Sequence, residues 1–429
     1  MSMKKILTLS SLVLLAGITY AQMPEVALHK VKNEITVIGD SARLINADKT
    51  ASRRNKHAQY PFLLSDAFVG ASVGYINYPF SEQQLQSGYH VGSVRVPHTA
   101  VRLTLLGHQF NQYLSAQITY MRPVSWVEYK SINGDNRTYS VWFNNGGLTL
   151  KAVLPFSKKF FVYGEGGLGV ITRSAFKINH EPVVKDANFA TVLAGGGLQY
   201  RMNNKWDFLL NATYAPAQSK TKQPSTLFIG GGFSYNMHAL PETRIDAVTK
   251  AGYWFPDQLF QVGYSTNTFG YNVNDYVSGK VLPIFWGGDA NVKHGIVAHY
   301  QRNVFHTRKV FSLDIGASLS YWSSKKEGNN FYTASVYPLL RFTALRIRPF
   351  DLYFNYSVAG PSYISKVVID SSETGKHFTF QDFMGMGIFA GKNRHLNAEI
   401  KIQHYSNGNI FPRNAGVKVP LTFNLGYAF

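Results

Sequence analysis

Two side chains that could perform nucleophilic chemistry together lie two positions apart near the C-terminus. His404 and Ser406 close a stretch, residues 396–406, in which the other even-numbered positions are apolar and the odd-numbered positions are polar. This alternation is typical of a β-strand, where residues i and i+2 point to the same face with their Cα atoms about 6–7 Å apart. A histidine at that distance can accept the proton of a serine hydroxyl, so the pair predicts a nucleophile with its base.

The elements that would position this pair are strands, because period-two alternation recurs along almost the whole chain. It marks sixteen candidate strands in two runs of eight. The first run lies near residues 69–75, 100–107, 112–121, 140–155, 159–171, 188–201, 205–215 and 226–237. The second run lies near residues 259–271, 292–303, 310–322, 331–345, 350–359, 379–391, 394–405 and 418–429.

The connections between these strands alternate between long and short, as in 122–139 against 157–159. Long loops on one side and tight turns on the other are typical of an outer-membrane barrel, whose closure leaves no unpaired backbone edge in lipid. The fold expected is therefore all-β, two tandem eight-stranded antiparallel transmembrane β-barrels, with one sixteen-stranded barrel as the alternative. A pair of soluble β-sandwiches explains the strands, but neither the loop asymmetry nor the terminal Phe429 on an alternating strand.

The chain divides into five predicted segments. Residues 1–21 have the charged start, short apolar core and small residues before the cleavage site of a signal peptide. Residues 22–60 are a polar periplasmic tail, and residues 61–238 are the first barrel. Residues 239–257 break the alternation with proline and charge and form a linker, and residues 258–429 are the second barrel.

Composition excludes several classes of protein. The 429 residues include no cysteine, so disulfides and thiolate metal sites are ruled out, and only 16% are charged, against about 25% in typical soluble domains. The formal charge of +19 is scattered without a lysine- or arginine-rich block, which argues against nucleic acid and for an anionic membrane surface. No metal-ligand spacing or phosphate-loop context is present, so we expect neither metal nor cofactor.

The barrel topology predicts where His404 and Ser406 lie. With both termini in the periplasm, strand 394–405 runs outward, so both side chains lie at its extracellular end. The apolar face of a membrane strand meets lipid, which places the pair on the outer wall at the level of the outer-leaflet head groups. The simpler interpretation is a polar pair at the membrane interface without catalytic function.

Four short motifs lie in the second half of the chain: HYSNG at 404–408, RNAG at 413–416, AGPSYIS at 359–365 and FTF at 378–380. They resemble motifs of the outer-membrane lipid A deacylase (PagL-like) family. The similarity covers about residues 258–429, whereas the first half resembles OmpA-like eight-stranded barrels in general. The resemblance implies hydrolysis of an ester-linked acyl chain of lipid A in the outer membrane of a Gram-negative bacterium. It implies that His404 is the base, Ser406 the nucleophile and Asn407 a contributor to the oxyanion hole, and Asn414 is the later asparagine of the motif.

One member of the family pattern is missing. The glutamate that orients the histidine would fall at Lys418, or at Val419 by strand parity, and no acidic residue follows Ser406. Counting back from the hairpin turn at 392–394 instead sets Asp382 opposite His404, about 4.5–5.5 Å away at Cβ. Asp382 is therefore the candidate third member, unless it is an interfacial residue without function. Glu399 is discounted because it lies on the other face.

A structural or lipopolysaccharide-binding barrel remains the alternative function. The expected partners are lipid A or another outer-leaflet lipid, and a homodimer is possible.

Overall fold

The computed structural model describes residues 56–277 and 288–429, and it contains two closed β-barrels. Contacts divide these residues into two units, Pro61–Ala239 with Asn409–Asn414, and the remainder. The predicted signal peptide, most of the predicted tail and part of the loop after residue 277 lie outside the described residues. Among those described, no helix combines the length and the apolar character needed to cross a membrane.

The first barrel closes through eight long antiparallel strands in the order β6-β4-β3-β1-β12-β11-β10-β7, with β7 pairing back to β6. Two further strands, β2 and β5, extend the sheet beside β6, and β8 and β9 form a small hairpin. The strands are β1 Ala67–Asn77, β2 Val91–Arg95, β3 Thr99–Gln109, β4 Leu114–Pro123, β5 Val127–Ile132, β6 Asp135–Pro155, β7 Phe160–Ser174, β8 Lys177–Ile178, β9 Glu181–Pro182, β10 Ala187–Arg201, β11 Trp206–Ala215 and β12 Thr226–Met237.

The second barrel closes through β13-β14-β15-β16-β17-β20-β21-β22, with β22 pairing to β13, and β18 and β19 form a hairpin in a loop. The strands are β13 Gln258–Thr266, β14 Ala290–His306, β15 Phe311–Ser324, β16 Asn330–Ile347, β17 Phe350–Ile364, β18 Val368–Ile369, β19 Ser372–Glu373, β20 Phe378–Ala390, β21 Leu396–Ser406 and β22 Val417–Ala428. Within the described ranges, the helices are α1 Glu242–Ala251, α2 Asn272–Tyr276 and three 3-10 turns, Lys56–Ala58, Glu82–Gln84 and Ser219–Thr221.

The strands form because their alternation suits a wall with an apolar outer face. In β15, Ile315, Leu319 and Tyr321 are exposed on the outer face, whereas the serines at 318 and 320 are buried inside. This pattern is the reverse of a soluble protein, where the apolar face is the buried one. It is typical of barrels whose outer surface meets lipid.

Paired charges fill both interiors. Arg102 lies 2.9 Å from Glu165 in the first barrel, and Lys401 lies 2.8 Å from Glu399 in the second. Eight strands leave an interior about as wide as the side chains that fill it, so these ion pairs are part of a packed core.

All sixteen predicted strands are present, and the two-barrel prediction is confirmed. The alternative of one sixteen-stranded barrel is wrong, because β7 closes on β6 and β22 closes on β13. The predicted linker contains helix α1, and the long loops of the first half contain the unpredicted strands β2, β5, β8 and β9.

Candidate active site

Three charged or titratable side chains form a row across adjacent strands at the long-loop end of the second barrel. Asp382 on β20 is paired with His404 on β21, as the hairpin count predicted, and His404 is paired with Lys418 on β22. Asp382 Oδ2 lies 3.6 Å from His404 Nδ1. This is an ion-pair distance rather than a hydrogen bond. Glu399, which the sequence placed on the other face, is buried inside the barrel.

A bulge in β17 holds the Asp382 carboxylate in place. The register shifts between Ser357 and Gly360, so two residues of β17 lie opposite Asp382. One of them, Ala359, has a left-handed backbone (φ 54°), and its N–H donates to Asp382 Oδ1 at 2.6 Å. An L-residue with that backbone is strained by about 1–2 kcal/mol. The charge-assisted hydrogen bond offsets this strain and fixes the carboxylate next to His404.

His404 lies on the outer face of the wall, yet only 1% of its surface is exposed. The segment 271–277, which includes α2 and which we name the strap, packs against β21 and β22. Within it, Asn274 Nδ2 donates to the Val419 carbonyl at 2.9 Å, and Val277 belongs to the same buried apolar cluster as Ile402. Its two cross-strand neighbours flank the imidazole, and the strap packs over the strands that carry His404 and Lys418, a cover that alternation along β21 could not predict.

The other predicted residues lie in different surroundings. Ser406 ends β21, is partly exposed and is paired with Phe380. Asn407 follows it and is buried, and its Nδ2 donates to the Thr374 carbonyl at 3.0 Å. Asn414 belongs to the segment Asn409–Asn414, which groups with the first barrel, and its Nδ2 donates to Asn409 Oδ1 at 2.7 Å. The structure therefore places Asp382, His404, Ser406 and Asn407 in one unit and Asn414 in the other.

A hydrogen-bond network inside the barrel fixes the strands behind this row. Gln381 Nε2 donates to Gln403 Oε1 at 2.9 Å and to the Tyr405 hydroxyl at 3.0 Å. Gln403 Nε2 in turn donates to Thr422 Oγ1 at 3.1 Å. These bonds connect β20, β21 and β22, so this network holds the strands whose outward side chains form the row.

Lys418 stands where the family glutamate was expected. In β22 the register shifts so that Pro420 and Leu421 both lie opposite Ile402, which reverses the facing of the residues before them. Val419, the other position considered, is therefore buried inside the barrel with Tyr405, whereas Lys418 faces outward. The ammonium of Lys418 lies 3.0 Å from Asp275 Oδ1 on the strap. Sequence reasoning missed this pair, although a proline within a strand is a signal for a bulge.

Across residues 56–277 and 288–429, no group of three or more His, Asp or Glu side chains is arranged to hold a metal ion.

Comparisons with known proteins agree with the two barrels. Residues 58–236 match the family model "Outer membrane protein beta-barrel domain", and residues 293–428 match "Lipid A 3-O-deacylase (PagL)". The chain is therefore an outer-membrane β-barrel protein of the Gram-negative type. Its C-terminal part is similar to the lipid A 3-O-deacylase family, and its N-terminal part to the general outer-membrane barrel domain. No curated protein matches the sequence.

Solved structures with similar folds include three outer-membrane barrels. The outer-membrane enzyme PagL is 13% identical, with a TM-score of 0.29 over 40% of this chain and 99% of its own. Neisserial surface protein A is 13% identical, with a TM-score of 0.27 over 40% and 97%. The N-terminal barrel of OprF from Pseudomonas aeruginosa is 12% identical, with a TM-score of 0.26 over 40% and 98%.

Proposed function

We propose that the second barrel is an acyl-ester hydrolase that removes an ester-linked acyl chain from lipid A in the outer leaflet. The observation that carries this proposal is the contact of Asp382 with His404. His404 lies on the outer face of β21, two residues before Ser406. The match of residues 293–428 to the lipid A 3-O-deacylase family supports the choice of substrate. A lipid ester could reach such a site without leaving the bilayer.

In the proposed reaction, Ser406 Oγ attacks the ester carbonyl carbon while its proton passes to His404 Nε2. Asp382 faces Nδ1 of the same ring and stabilises the imidazolium that forms. When the tetrahedral intermediate collapses, His404 gives the proton to the departing sugar oxygen and the acyl group stays on Ser406. Water then attacks the acyl group and gives a proton to His404, which returns it to Ser406 as the fatty acid leaves.

We assign the stabilisation of the oxyanion to Asn407 and to nearby backbone N–H groups. Asn407 directly follows the nucleophile. One N–H of its amide donates to the Thr374 carbonyl and fixes the orientation of the side chain, and the second N–H is the one assigned to the oxyanion. Donors that are held before the reaction cost no reorganisation when the negative charge develops.

The proposed orientation puts the short turns and residues 239–257 in the periplasm. It puts the predicted loops 360–378 and 407–417, which the strand bounds narrow to 365–377 and 407–416, outside the cell. Protease added to intact cells should then cut within those two loops. Cleavage confined to 239–257 would reverse the assignment.

Mass spectrometry of lipid A from cells with and without the protein tests the proposed activity. Ser406→Ala and His404→Ala should each abolish deacylation while the barrel still folds, because both side chains lie outside the barrel interior. The chain offers matched controls in His294 and Ser323, which are cross-strand partners on β14 and β15. His294→Ala and Ser323→Ala should leave deacylation unchanged, with folding followed by far-UV circular dichroism.

Full activity of either Ser406→Ala or His404→Ala would exclude the mechanism. If the wild-type protein removes no acyl chain at all, the second barrel is instead a non-catalytic structural or lipopolysaccharide-binding barrel. This second candidate is favoured by Lys418, which places a positive charge beside His404 where the family pattern has a glutamate.

A further inference from the structure

The ammonium of Lys418 lies beside the proposed active site without belonging to its chemistry. Lys418 is the cross-strand neighbour of His404, on the side opposite Asp382. Its Nζ lies 6.0 Å from the centre of the Tyr271 ring, and the Nζ of Lys325 lies 5.2 Å from the same centre. Burial raises the pKa of Tyr271 to about 12, so this ring is a neutral phenol with two cations close to it.

The strap supplies the carboxylate that meets Lys418. Asp275 Oδ1 lies 3.0 Å from Lys418 Nζ, but 59% of the Asp275 side chain is exposed, against 18% of that of Lys418. An ion pair with so exposed a partner is weak and readily exchanged. The lysine, in contrast, is held by a strand of the barrel wall.

A phosphate group is a stronger partner for this lysine than a single carboxylate. It carries more negative charge and offers three acceptor oxygens. Lysine binds phosphate as a compact point charge, with no need for the paired geometry of arginine. Lipid head groups bring such phosphates to the level of the membrane where the site lies.

We propose that Lys418 is a specificity-determining residue that binds a head-group phosphate of the lipid substrate, and that Asp275 occupies its place until the lipid arrives. This inference rests on the proposed hydrolase function. It also explains why a lysine stands where the family pattern has a glutamate. Asp382 supplies the carboxylate on one side of His404, so the position on the other side is left to a cation. The ligand class is an acylated glycolipid that carries phosphate.

The test compares hydrolysis of lipid A in mixed micelles with hydrolysis of the same lipid after removal of its phosphates. Wild-type kcat/KM should be about tenfold higher on the phosphorylated lipid, the factor expected for one hydrogen bond to a charged group. Lys418→Gln should lose this preference through a rise in KM. Asp275→Asn should keep the preference and lower KM, because the internal competitor has lost its charge. Lys366→Gln, which removes an exposed loop lysine, is the matched control and should behave like the wild type.

The two variants of the ion pair distinguish a role in phosphate recognition from a purely structural role. If the pair only fastens the strap, Lys418→Gln and Asp275→Asn will have the same effect, and the proposal is wrong. Equal cleavage of the two lipids by the wild type would also overturn it, while the hydrolase function would stand.

If the wild type cleaves neither lipid, the hydrolase function fails, and binding decides the role of Lys418. Phosphorylated lipid A should then bind to Lys418→Gln about tenfold more weakly than to the wild type. Inorganic phosphate should compete with lipid A for binding to the wild type. Equal binding by the two proteins would refute the proposal.

Discussion

The substitution Asp382→Asn isolates the charge of the carboxylate that faces His404. The amide oxygen can still accept the N–H of Ala359, so the side chain should stay in place. Its NH₂ group would then point at His404 Nδ1, which must become an acceptor. The imidazole would carry its proton on Nε2, and in that tautomer it cannot accept the proton of Ser406.

The magnitude follows from the distance. Opposite unit charges 3.6 Å apart, at an effective dielectric constant of about 20, attract by about 4–5 kcal/mol. That attraction exists only when His404 is protonated, so its loss raises the barrier and lowers kcat about 10³-fold. KM should change little, because Asp382 does not face the acyl chain in the proposed mechanism.

The assay follows fatty acid released from lipid A by purified protein. Glu327→Gln removes an exposed carboxylate from the turn between β15 and β16 and should retain full activity. Ala359→Gly keeps the N–H that holds Asp382 and relieves the backbone strain, so it should also retain activity. A decrease of less than about fivefold in Asp382→Asn would refute the orienting role and leave a Ser–His pair.

Three further predictions concern the scaffold. Lys401→Met should destabilise the second barrel by about 3–5 kcal/mol in urea unfolding, because it leaves the buried charge of Glu399 unpaired, and Lys401→Met with Glu399→Gln should recover part of that loss. Gly232→Ala should cost about 1–3 kcal/mol in the same assay, because its Cβ would collide with the Ala71 carbonyl, whereas Gly166→Ala, with open space around it, should change little. Burial alone would raise the pKa of Asp370, but hydrogen bonds from Ser324 and from backbone N–H groups of the neighbouring turn hold that pKa below its usual value. The anchored turn at 325–329 should therefore be fully stable above about pH 4 and become cleavable by an acid protease as the pH falls through the lowered pKa, and Asp370→Asn should remove this pH dependence.

The sequence was sufficient for the barrel strands because alternation is strongest where one face is apolar and the other polar. In β15 the pattern alone gives both the strand and the direction in which each residue points. It fails in the long loops of the first half, where β5 and the start of β6 form a hairpin that continues into a barrel strand without a break in the pattern. The strap was invisible for a different reason, since a five-residue helix such as α2 is too short to show a helical period.

Within the candidate site, the pairing of Asp382 with His404 was predictable and the facing of Lys418 was not. A short hairpin joins β20 to β21, with Ala390 opposite Leu396, and from there the register is unbroken to Asp382. β21 and β22, in contrast, are joined by a long loop, and their register shifts once on the way. A one-residue shift moves a side chain to the other face, so counting alone could not choose between Lys418 and Val419.

The two bulges beside the site explain why charged side chains can stand on a wall that is otherwise apolar. In β17 the extra residue turns a backbone N–H toward Asp382, and in β22 the extra residue at Pro420 turns Lys418 outward. Each bulge frees a backbone group from the hydrogen-bond ladder. In β17 this group is the Ala359 N–H, which binds Asp382 directly. In β22 it is the Val419 carbonyl, which binds the strap, and the strap carries the partner of Lys418. A charge that faces lipid is retained only with such a partner, so the bulges and the charges must occur together. Straightening β17 by deleting Val358 should therefore abolish activity even though every side chain of the proposed mechanism remains.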